Sequence, residues 1–193
     1  MIRKVISSNA NAQKKQILAG VDPIFTRVAV LWICFFTAAC GMVLPAYAAD
    51  ENAPDYVVIH LSVQVNRPAE QVWKRVGDYC EIAEWLKVTC RYASGSGDVG
   101  TVRVINDTTL EPMTGKTRMS YTYWQTQGTM APDSYHGTLA VDSNGDATST
   151  IYYMLFYNQN AIPAEKRESE HQRLTTRFQG ALDAMKALAE AQK

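Results

Sequence analysis

The sequence predicts an α+β domain in which a curved antiparallel sheet of about six to seven strands grips a long C-terminal helix. Segments rich in β-branched and aromatic residues recur from residue 56 to residue 158, separated by short turns. Two short helical segments follow the first strand, and a long helical segment runs from Pro163 almost to the C-terminus. Consecutive strands joined by short turns pair antiparallel, and a sheet with one apolar face needs a cover.

The N-terminal 48 residues have the pattern of a secretory signal peptide. Basic residues precede an apolar run at 28–44, and Ala46-Tyr47-Ala48 forms a small-x-small motif, so we expect cleavage near Ala48. An uncleaved membrane anchor is the alternative, since the run reaches the lower limit for crossing a bilayer, roughly 17 residues. A lipoprotein signal around Cys40 is a weaker alternative. The predicted localisation is periplasmic or secreted, and a membrane contact is expected only through an uncleaved signal.

The mature chain is predicted to be a single domain at 49–193. Five of the 19 Lys and Arg residues and one of the 19 Asp and Glu residues leave with residues 1–48, so the net charge falls to about −4. The remaining length is enough for one domain with a substantial core. Nucleic-acid binding requires a basic patch, and none is visible, so no nucleic-acid partner is predicted. The sequence leaves the oligomeric state open.

Local patterns give the boundaries of the elements. Residues 56–65 alternate, with Val57, Ile59 and Leu61 on one face, and predict the first strand. A helix follows with Asn66 as its N-cap and Pro68 in its first turn, and a second short helix is expected at 79–85. Further strands are predicted at 87–93, 101–106, 110–113, 117–125, 134–141 and 148–158, with turns at 94–100, 114–116 and 143–146.

The long helix carries an apolar stripe in its C-terminal half. Its members are spaced by three or four positions: Leu174, Phe178, Ala181, Met185 and Leu188. Extended towards the N-terminus, the same stripe becomes polar at His171 and Arg167. The C-terminal half of this helix is therefore expected to pack against the sheet.

Two cysteines remain once Cys34 and Cys40 leave with the signal peptide. An even number of cysteines in an oxidising compartment predicts a disulfide between Cys80 and Cys90. Two reduced thiols are one alternative. A catalytic thiol is another, although the spacing is not C-x-x-C and no histidine lies nearby in sequence. We expect the crosslink to serve shape, by joining the second helix to the strand after it.

Several motifs carry a resemblance to a known superfamily. They are VNRPAEQVW at 65–73, VGD at 76–78, Trp85, SYTY at 120–123, YHGTLAV at 135–141, Arg177-Phe178 and Met185-Lys186. With the order of elements, they resemble the START-like helix-grip superfamily, of the polyketide cyclase/dehydrase and lipid transport type, over residues 56–191. Residues 77–90 are also similar to a bacterial subgroup with a paired cysteine. The resemblance implies a cavity between the sheet and the long helix that usually holds a hydrophobic ligand, but no single reaction.

Tyrosines of one strand parity supply the candidate ligand-binding face: Tyr121, Tyr123, Tyr135, Tyr153 and Tyr157. A buried tyrosine combines an apolar ring with a hydroxyl that needs a partner, so several of them would give an apolar pocket with polar handles. Filling the core is their alternative role. The other candidate ligand-binding residues are Trp85 in the cysteine loop and Arg167, His171, Leu174 and Phe178 on the long helix. His171 could equally be an exposed residue at the start of that helix.

No metal site, cofactor or catalytic residue is predicted. His60, His136 and His171 lie on separate elements, and strand parity places the first two away from the apolar face. The sequence contains no G-x-S-x-G motif or P-loop. The glycines of GSGDVG at 95–100 have the G-x-G-x-x-G spacing, but this segment is predicted to be a turn between two strands, and a phosphate-binding site needs a helix after it.

The predicted function is binding or carriage of a lipid or other small hydrophobic molecule in the periplasm. One alternative is a polyketide cyclase/dehydrase-like enzyme, in which His171 or Arg167 would act at the cavity mouth together with a tyrosine. The other alternative is an interaction module tethered to the membrane through residues 28–44.

Overall fold

The computed structural model describes residues 53–191, so the predicted signal peptide lies outside the described residues. Within this range the elements follow one another in the predicted order. They are β1 Tyr56–Val65, α1 Ala69–Val76, α2 Ile82–Trp85, β2 Cys90–Ser94, β3 Val102–Ile105, β4 Thr109–Thr117, β5 Ser120–Trp124, β6 His136–Ser143, β7 Ser149–Asn158 and α3 Arg167–Glu190. Two short 3-10 turns, Gln159–Ala161 and Ala164–Lys166, join β7 to α3.

All seven strands belong to one antiparallel sheet in the order β1-β7-β6-β5-β4-β3-β2. Strands β2 to β7 pair with their neighbours in sequence, whereas β1 pairs with β7. Helix α3 packs against the sheet and buries a stripe formed by Leu174, Phe178, Ala181, Leu182, Met185 and Ala189. Leu188 of the predicted stripe is half-buried. The predicted fold class is confirmed.

The core lies between the sheet and the helices. Leu139, Ile151 and Leu155 on the inner face of β6 and β7 are completely buried. Removing one such side chain from water contributes about 1.5–3 kcal/mol, so these residues make a substantial contribution to stability. No helix among residues 53–191 is long and apolar enough to cross a bilayer.

The structure corrects the turn predicted at 114–116. Strand β4 continues to Thr117, and the chain turns at Arg118 and Met119 instead. The register between β4 and β5 shifts between Met113 and Gly115, which marks a β-bulge. A glycine between β-type residues is typical of a bulge as well as of a turn, so the local pattern did not separate the two.

The predicted N-cap of α1 is also corrected. The helix begins at Ala69 with Pro68 at the N-cap position, and no side chain caps it. The backbone N–H of Asn66 donates instead to Glu190 Oε1 at 2.8 Å, and the Arg67 guanidinium donates to the Glu190 carbonyl at 3.2 Å. These residues therefore connect the end of β1 to the last turn of α3.

Cys80 and Cys90 form a disulfide, as predicted, with their Cα atoms 5.4 Å apart. It links the loop before α2 to the first residue of β2, so that α2 lies inside the closed loop. The two buried side chains of α2 are Ile82 and Trp85. The crosslink therefore constrains the segment that holds these side chains in the core.

The outer face of the sheet carries a row of aromatic side chains. Trp124, His136 and Phe156 occupy directly opposed positions of β5, β6 and β7. The Trp124 and His136 rings stack with their centroids 5.9 Å apart, and Phe156 stacks on Tyr56 at 4.5 Å. Strand parity predicted that both His60 and His136 are solvated; His60 is exposed, whereas His136 is half-buried.

Candidate functional site

A partly enclosed cavity of about 290 Å³ lies between the N-terminal half of α3 and one end of the sheet. Its walls come from four parts of the fold: α2 and the residue after it, the β3–β4 hairpin, β5 with the 125–135 segment, and α3. Ile82, Leu86, Leu174 and Phe178 give it apolar surface. Ligand sites in proteins have this mixture of concave apolar surface and a few polar groups.

Four of the predicted ligand-binding residues line this cavity: Tyr123, Tyr135, Leu174 and Phe178. Strand alternation points Tyr123 to the inner face, Tyr135 lies directly before β6, and helical spacing puts Leu174 and Phe178 one turn apart on α3. All four are buried. They form the inner part of the wall.

Three further predicted residues are buried behind the cavity wall. Tyr153 packs on Phe178 with ring centroids 4.7 Å apart, and Trp85 stands edge-on to Tyr153 at 6.1 Å. Tyr121 lies edge-on to Tyr79 at 5.1 Å. These three side chains fill the core and support the wall residues, which is the alternative role that the sequence left open.

The last three predicted residues are not among those that line the cavity: Tyr157, Arg167 and His171. Tyr157 is buried in β7, and the Arg167 Nε–H donates to the Ile162 carbonyl at 3.1 Å. His171 is half-buried, and within residues 53–191 no hydrogen bond joins it to Tyr153 or Tyr157. The polar start of the α3 stripe therefore lies beyond the cavity wall.

The hydroxyls of three buried tyrosines form a hydrogen-bonded chain. Tyr123 Oη lies 2.8 Å from Tyr153 Oη and 3.2 Å from Tyr135 Oη. Burial raises the pKa of all three phenols well above the ordinary value. The hydroxyls therefore keep their protons at neutral pH, and two of these tyrosines, Tyr123 and Tyr135, are residues that line the cavity.

A buried ion pair forms the polar part of the inner wall. Arg103 and Glu111 face each other across the β3–β4 hairpin and are 0% and 3% exposed. The Arg103 Nε–H and Nη2–H donate to Glu111 Oε2 at 2.9 and 2.7 Å, and Nη1–H donates to the Tyr79 carbonyl at 2.7 Å. The guanidinium carbon also lies 4.2 Å from the Tyr79 ring centroid and 4.5 Å from that of Tyr123. Such contacts compensate the cost of burying a cation.

The charge state of this pair follows from its surroundings. Burial is the largest single influence and would lower the pKa of Arg103, but Glu111 and the three neighbouring tyrosines together outweigh it, and the pKa is held well above its ordinary value. Arg103 is therefore a permanent cation behind the wall, and Glu111 is the member of the pair that lines the cavity.

Gln125 fixes the other oxygen of Glu111. The backbone N–H of Met130 donates to Gln125 Oε1 at 2.8 Å, which settles the orientation of the amide because a backbone N–H can only donate. The Gln125 amide nitrogen consequently donates to Glu111 Oε1 at 3.2 Å. The carboxylate is thus held in one orientation in the wall of the cavity.

Two arginines of α3 lie at the cavity mouth. Arg173 and Arg177 line the cavity and are both exposed. Arg173 forms an ion pair with Glu170, and its Nε–H donates to Glu170 Oε2 at 2.7 Å. For Arg177 no ion pair occurs within the part of the chain that the structure describes. Among the described residues, the mouth therefore carries one arginine without an ion pair.

Sequence reasoning missed Arg103, Glu111 and Gln125. Arg103 and Glu111 are eight positions apart, and opposite charges at that separation face each other once the hairpin register is known. A strand predicted only at 110–113, with a turn placed at 114–116, did not give that register. Within residues 53–191 no group of three or more His, Cys, Asp or Glu side chains is arranged to hold a metal ion.

Comparison with known proteins identifies the family. The family model described as polyketide cyclase/dehydrase and lipid transport matches residues 56–190. The chain belongs to this family. The START-like helix-grip resemblance is thereby confirmed, and family and fold together indicate binding of a hydrophobic ligand or a cyclase-like function. This chain matches none of the curated protein sequences.

Solved structures show the same fold at low sequence identity. Ara h 8.0201 superposes with a TM-score of 0.58 at 17% identity, covering 72% of this chain and all of that one. Norcoclaurine synthase from Thalictrum flavum gives 0.57 at 18%, covering 74% and 91% of the two chains. A protein from Nitrosospira multiformis gives 0.56 at 19%, covering 68% and 94%. At these identities the likeness establishes the fold alone.

Proposed function

We propose that the mature protein binds one small hydrophobic or amphipathic molecule in the cavity and acts as a non-catalytic carrier in the periplasm. The observation that supports this most strongly is the composition of the cavity wall. The lining combines apolar residues of α2 and α3 with Glu111, whose carboxylate is fixed by hydrogen bonds, and with Tyr135. Ligand-binding proteins commonly combine an apolar pocket with a few such orienting groups.

The volume of the cavity limits the ligand. At about 290 Å³ it lies at the lower end of the range for small-molecule sites, roughly 300–1,000 Å³. A single small molecule or one short acyl chain fits that range better than a lipid with two long chains. The sequence predicts a lipid or another small hydrophobic molecule as the ligand. The volume of the cavity favours the smaller of these ligands.

An exported location agrees with both the cysteines and the N-terminal pattern. Disulfides persist in oxidising compartments, and the Cys80–Cys90 bond is compatible with export. Alkylation of protein isolated from its native host without reductant should label neither Cys80 nor Cys90. N-terminal sequencing should give a chain that begins near Ala49, and a retained 28–44 segment would favour the tethered module instead.

A cyclase-like enzyme is the second candidate. One structural neighbour, norcoclaurine synthase, is an enzyme described in complex with dopamine and hydroxybenzaldehyde. In this chain the residues first suggested for catalysis, His171 and Arg167, are not among those that line the cavity. Burial raises the pKa of the wall tyrosines Tyr123 and Tyr135, so they stay protonated at neutral pH and supply no phenolate base. Glu111 is the only carboxylate among the described lining residues, and its oxygens already accept hydrogen bonds from Arg103 and Gln125.

Fluorescence of the neutral dye N-phenyl-1-naphthylamine tests the proposal. We expect the mature protein to bind one dye molecule. Thr129 is exposed and lines the cavity, so Thr129→Trp should block the mouth and abolish binding. The control Thr176→Trp, at an exposed α3 position outside the cavity lining, should bind like the wild type. Equal binding by both variants, or no binding by the wild type, would contradict the proposal.

A further inference from the structure

We infer that the natural ligand is a small hydroxylated amphiphile that donates a hydroxyl hydrogen bond to Glu111 and keeps an anionic group beside Arg177. The inference rests on the proposed function and adds the chemical class of the ligand and its orientation. The hydroxyl end would enter first, and the anionic end would stay at the mouth.

The first support is the hydrogen-bonding capacity of Glu111. An ionised carboxylate offers about four lone-pair sites, and three donors occupy Glu111: two Arg103 N–H groups on Oε2 and the Gln125 amide on Oε1. Glu111 is one of the residues that line the cavity, and a ligand that reaches its carboxylate would use the remaining capacity. Both oxygens have a partner, and one more donor can be accepted, so this wall favours a ligand with a hydrogen-bond donor.

The second support is the charge at the same place. The Arg103 Nη2 atom lies 2.7 Å from Glu111 Oε2, so the guanidinium balances the charge of the carboxylate within the wall. A cationic ammonium group would have to lose its hydration next to a pair that is already balanced, which is unfavourable. A neutral hydroxyl donates the same hydrogen bond without that cost. The inner wall is therefore matched to a hydroxyl.

The third support is the asymmetry of the mouth. Glu170 compensates the charge of Arg173 at the mouth, whereas Arg177 lines the cavity without an ion pair among residues 53–191. A carboxylate or sulfonate at the exposed end of the ligand would pair with Arg177 while it remains hydrated. The apolar body of the ligand would then lie between Leu174, Phe178 and the apolar residues of α2.

A set of flexible ligands tests both ends separately. Dissociation constants would be measured by displacement of N-phenyl-1-naphthylamine with 10-hydroxydecanoate, with 10-fluorodecanoate and with methyl 10-hydroxydecanoate. Fluorine has nearly the size of the hydroxyl and cannot donate, and the ester removes the charge. We expect the hydroxy acid to bind about tenfold more tightly than the fluoro acid. We expect it to bind about twofold to fivefold more tightly than the ester, since the contact at Arg177 is exposed to water.

Matched variants assign each preference to its residue. The double variant Arg103→Met/Glu111→Leu replaces the ion pair with apolar side chains of similar size, which proteins often tolerate, and should remove the preference for the hydroxyl. Arg177→Gln should remove only the preference for the acid. Arg118→Gln, at a side chain that is 76% exposed on the β4–β5 turn, should change neither.

The outcomes separate this inference from the proposed function. If the dye does not bind the wild type, the binding proposal itself fails. If the dye binds but wild-type protein holds the hydroxy and fluoro acids equally well, the inference about ligand class is overturned and the cavity is a nonselective apolar site. The wild-type ratio decides this even if the double variant does not fold.

Discussion

At the scale of single residues, the Arg103–Glu111 pair should have the largest effect on stability. Arg103→Ala would leave the Glu111 charge buried without its partner, so we expect the free energy of unfolding to fall by about 3–5 kcal/mol. Arg118→Ala is the matched control, because its ion pair with Glu70 is exposed and contributes at most about 1 kcal/mol. Urea unfolding measures both variants. Equally small losses in the free energy of unfolding of both variants would show that the buried pair contributes no more to stability than the exposed pair.

Gly137 is a second residue with a specific steric role. It lies opposite Tyr123 in the β5–β6 pairing, and a methyl group there would overlap the Tyr123 ring and hydroxyl. Gly137→Ala should therefore destabilise the protein by about 1–3 kcal/mol and weaken dye binding by displacing a wall residue. Gly180→Ala on α3 meets no atom within 4 Å and should be neutral or stabilising by up to about 1 kcal/mol. Thermal unfolding and dye titration of the two variants check this.

The candidate site shows which residue roles can be predicted from sequence. Alternation in β5 and helical spacing in α3 predicted the cavity positions of Tyr123, Leu174 and Phe178, because burial follows these periods directly. The α3 stripe also predicted His171 and Arg167 as ligand-binding residues, but neither is among the residues that line the cavity. The helix continues beyond the cavity, and periodicity shows which side a residue lies on but not how far the cavity reaches.

At the scale of elements, the disulfide should matter for α2 and for the cavity together. Cys80→Ser/Cys90→Ser removes a constraint on the unfolded chain and should lower the free energy of unfolding by about 2–3 kcal/mol. Because Ile82 and Leu86 lie inside the crosslinked loop and line the cavity, we also expect weaker dye binding. Urea unfolding and dye titration measure both effects. Reduced wild-type protein, which also lacks the crosslink, is the comparison. Unchanged stability would contradict a structural role.

The elements were predictable in order and type but not in all their boundaries. Alternating strands and the α3 stripe have strong periodicity, so their positions were predicted closely. Strand β4 was predicted too short because Pro112 and Gly115 interrupt its pattern, although both are accommodated within the strand. Pairing with β3 and β5 holds β4 together across these residues, and such pairing is not visible in a local sequence window.

At the scale of the whole molecule, the buried tyrosines predict alkaline unfolding. Burial raises the pKa of Tyr79, Tyr121, Tyr123, Tyr135 and Tyr153 above the ordinary value of about 10. Above pH 10 the unfolded chain loses phenolic protons that the folded protein keeps. The stabilisation is therefore complete below pH 10, and the free energy of unfolding falls as the pH rises beyond it.

Absorbance at 295 nm and urea unfolding across pH 8 to 12 test this dependence. We expect only part of the phenolate absorbance to develop while the protein is folded, and the rest to appear together with loss of circular dichroism. The urea-unfolded protein, titrated in parallel, gives the full amplitude. Complete phenolate formation in a protein that is still folded would contradict the prediction.

Mass spectrometry of the protein from its native host tests the binding proposal most directly. The mature protein would be purified gently, and its intact complex and its solvent extract would be measured. We predict one small molecule per chain, bearing a hydroxyl and an anionic group, and a bare protein mass that includes the Cys80–Cys90 disulfide. An empty extract, with native protein at the bare mass and no mass increase on addition of 10-hydroxydecanoate, would contradict the carrier function.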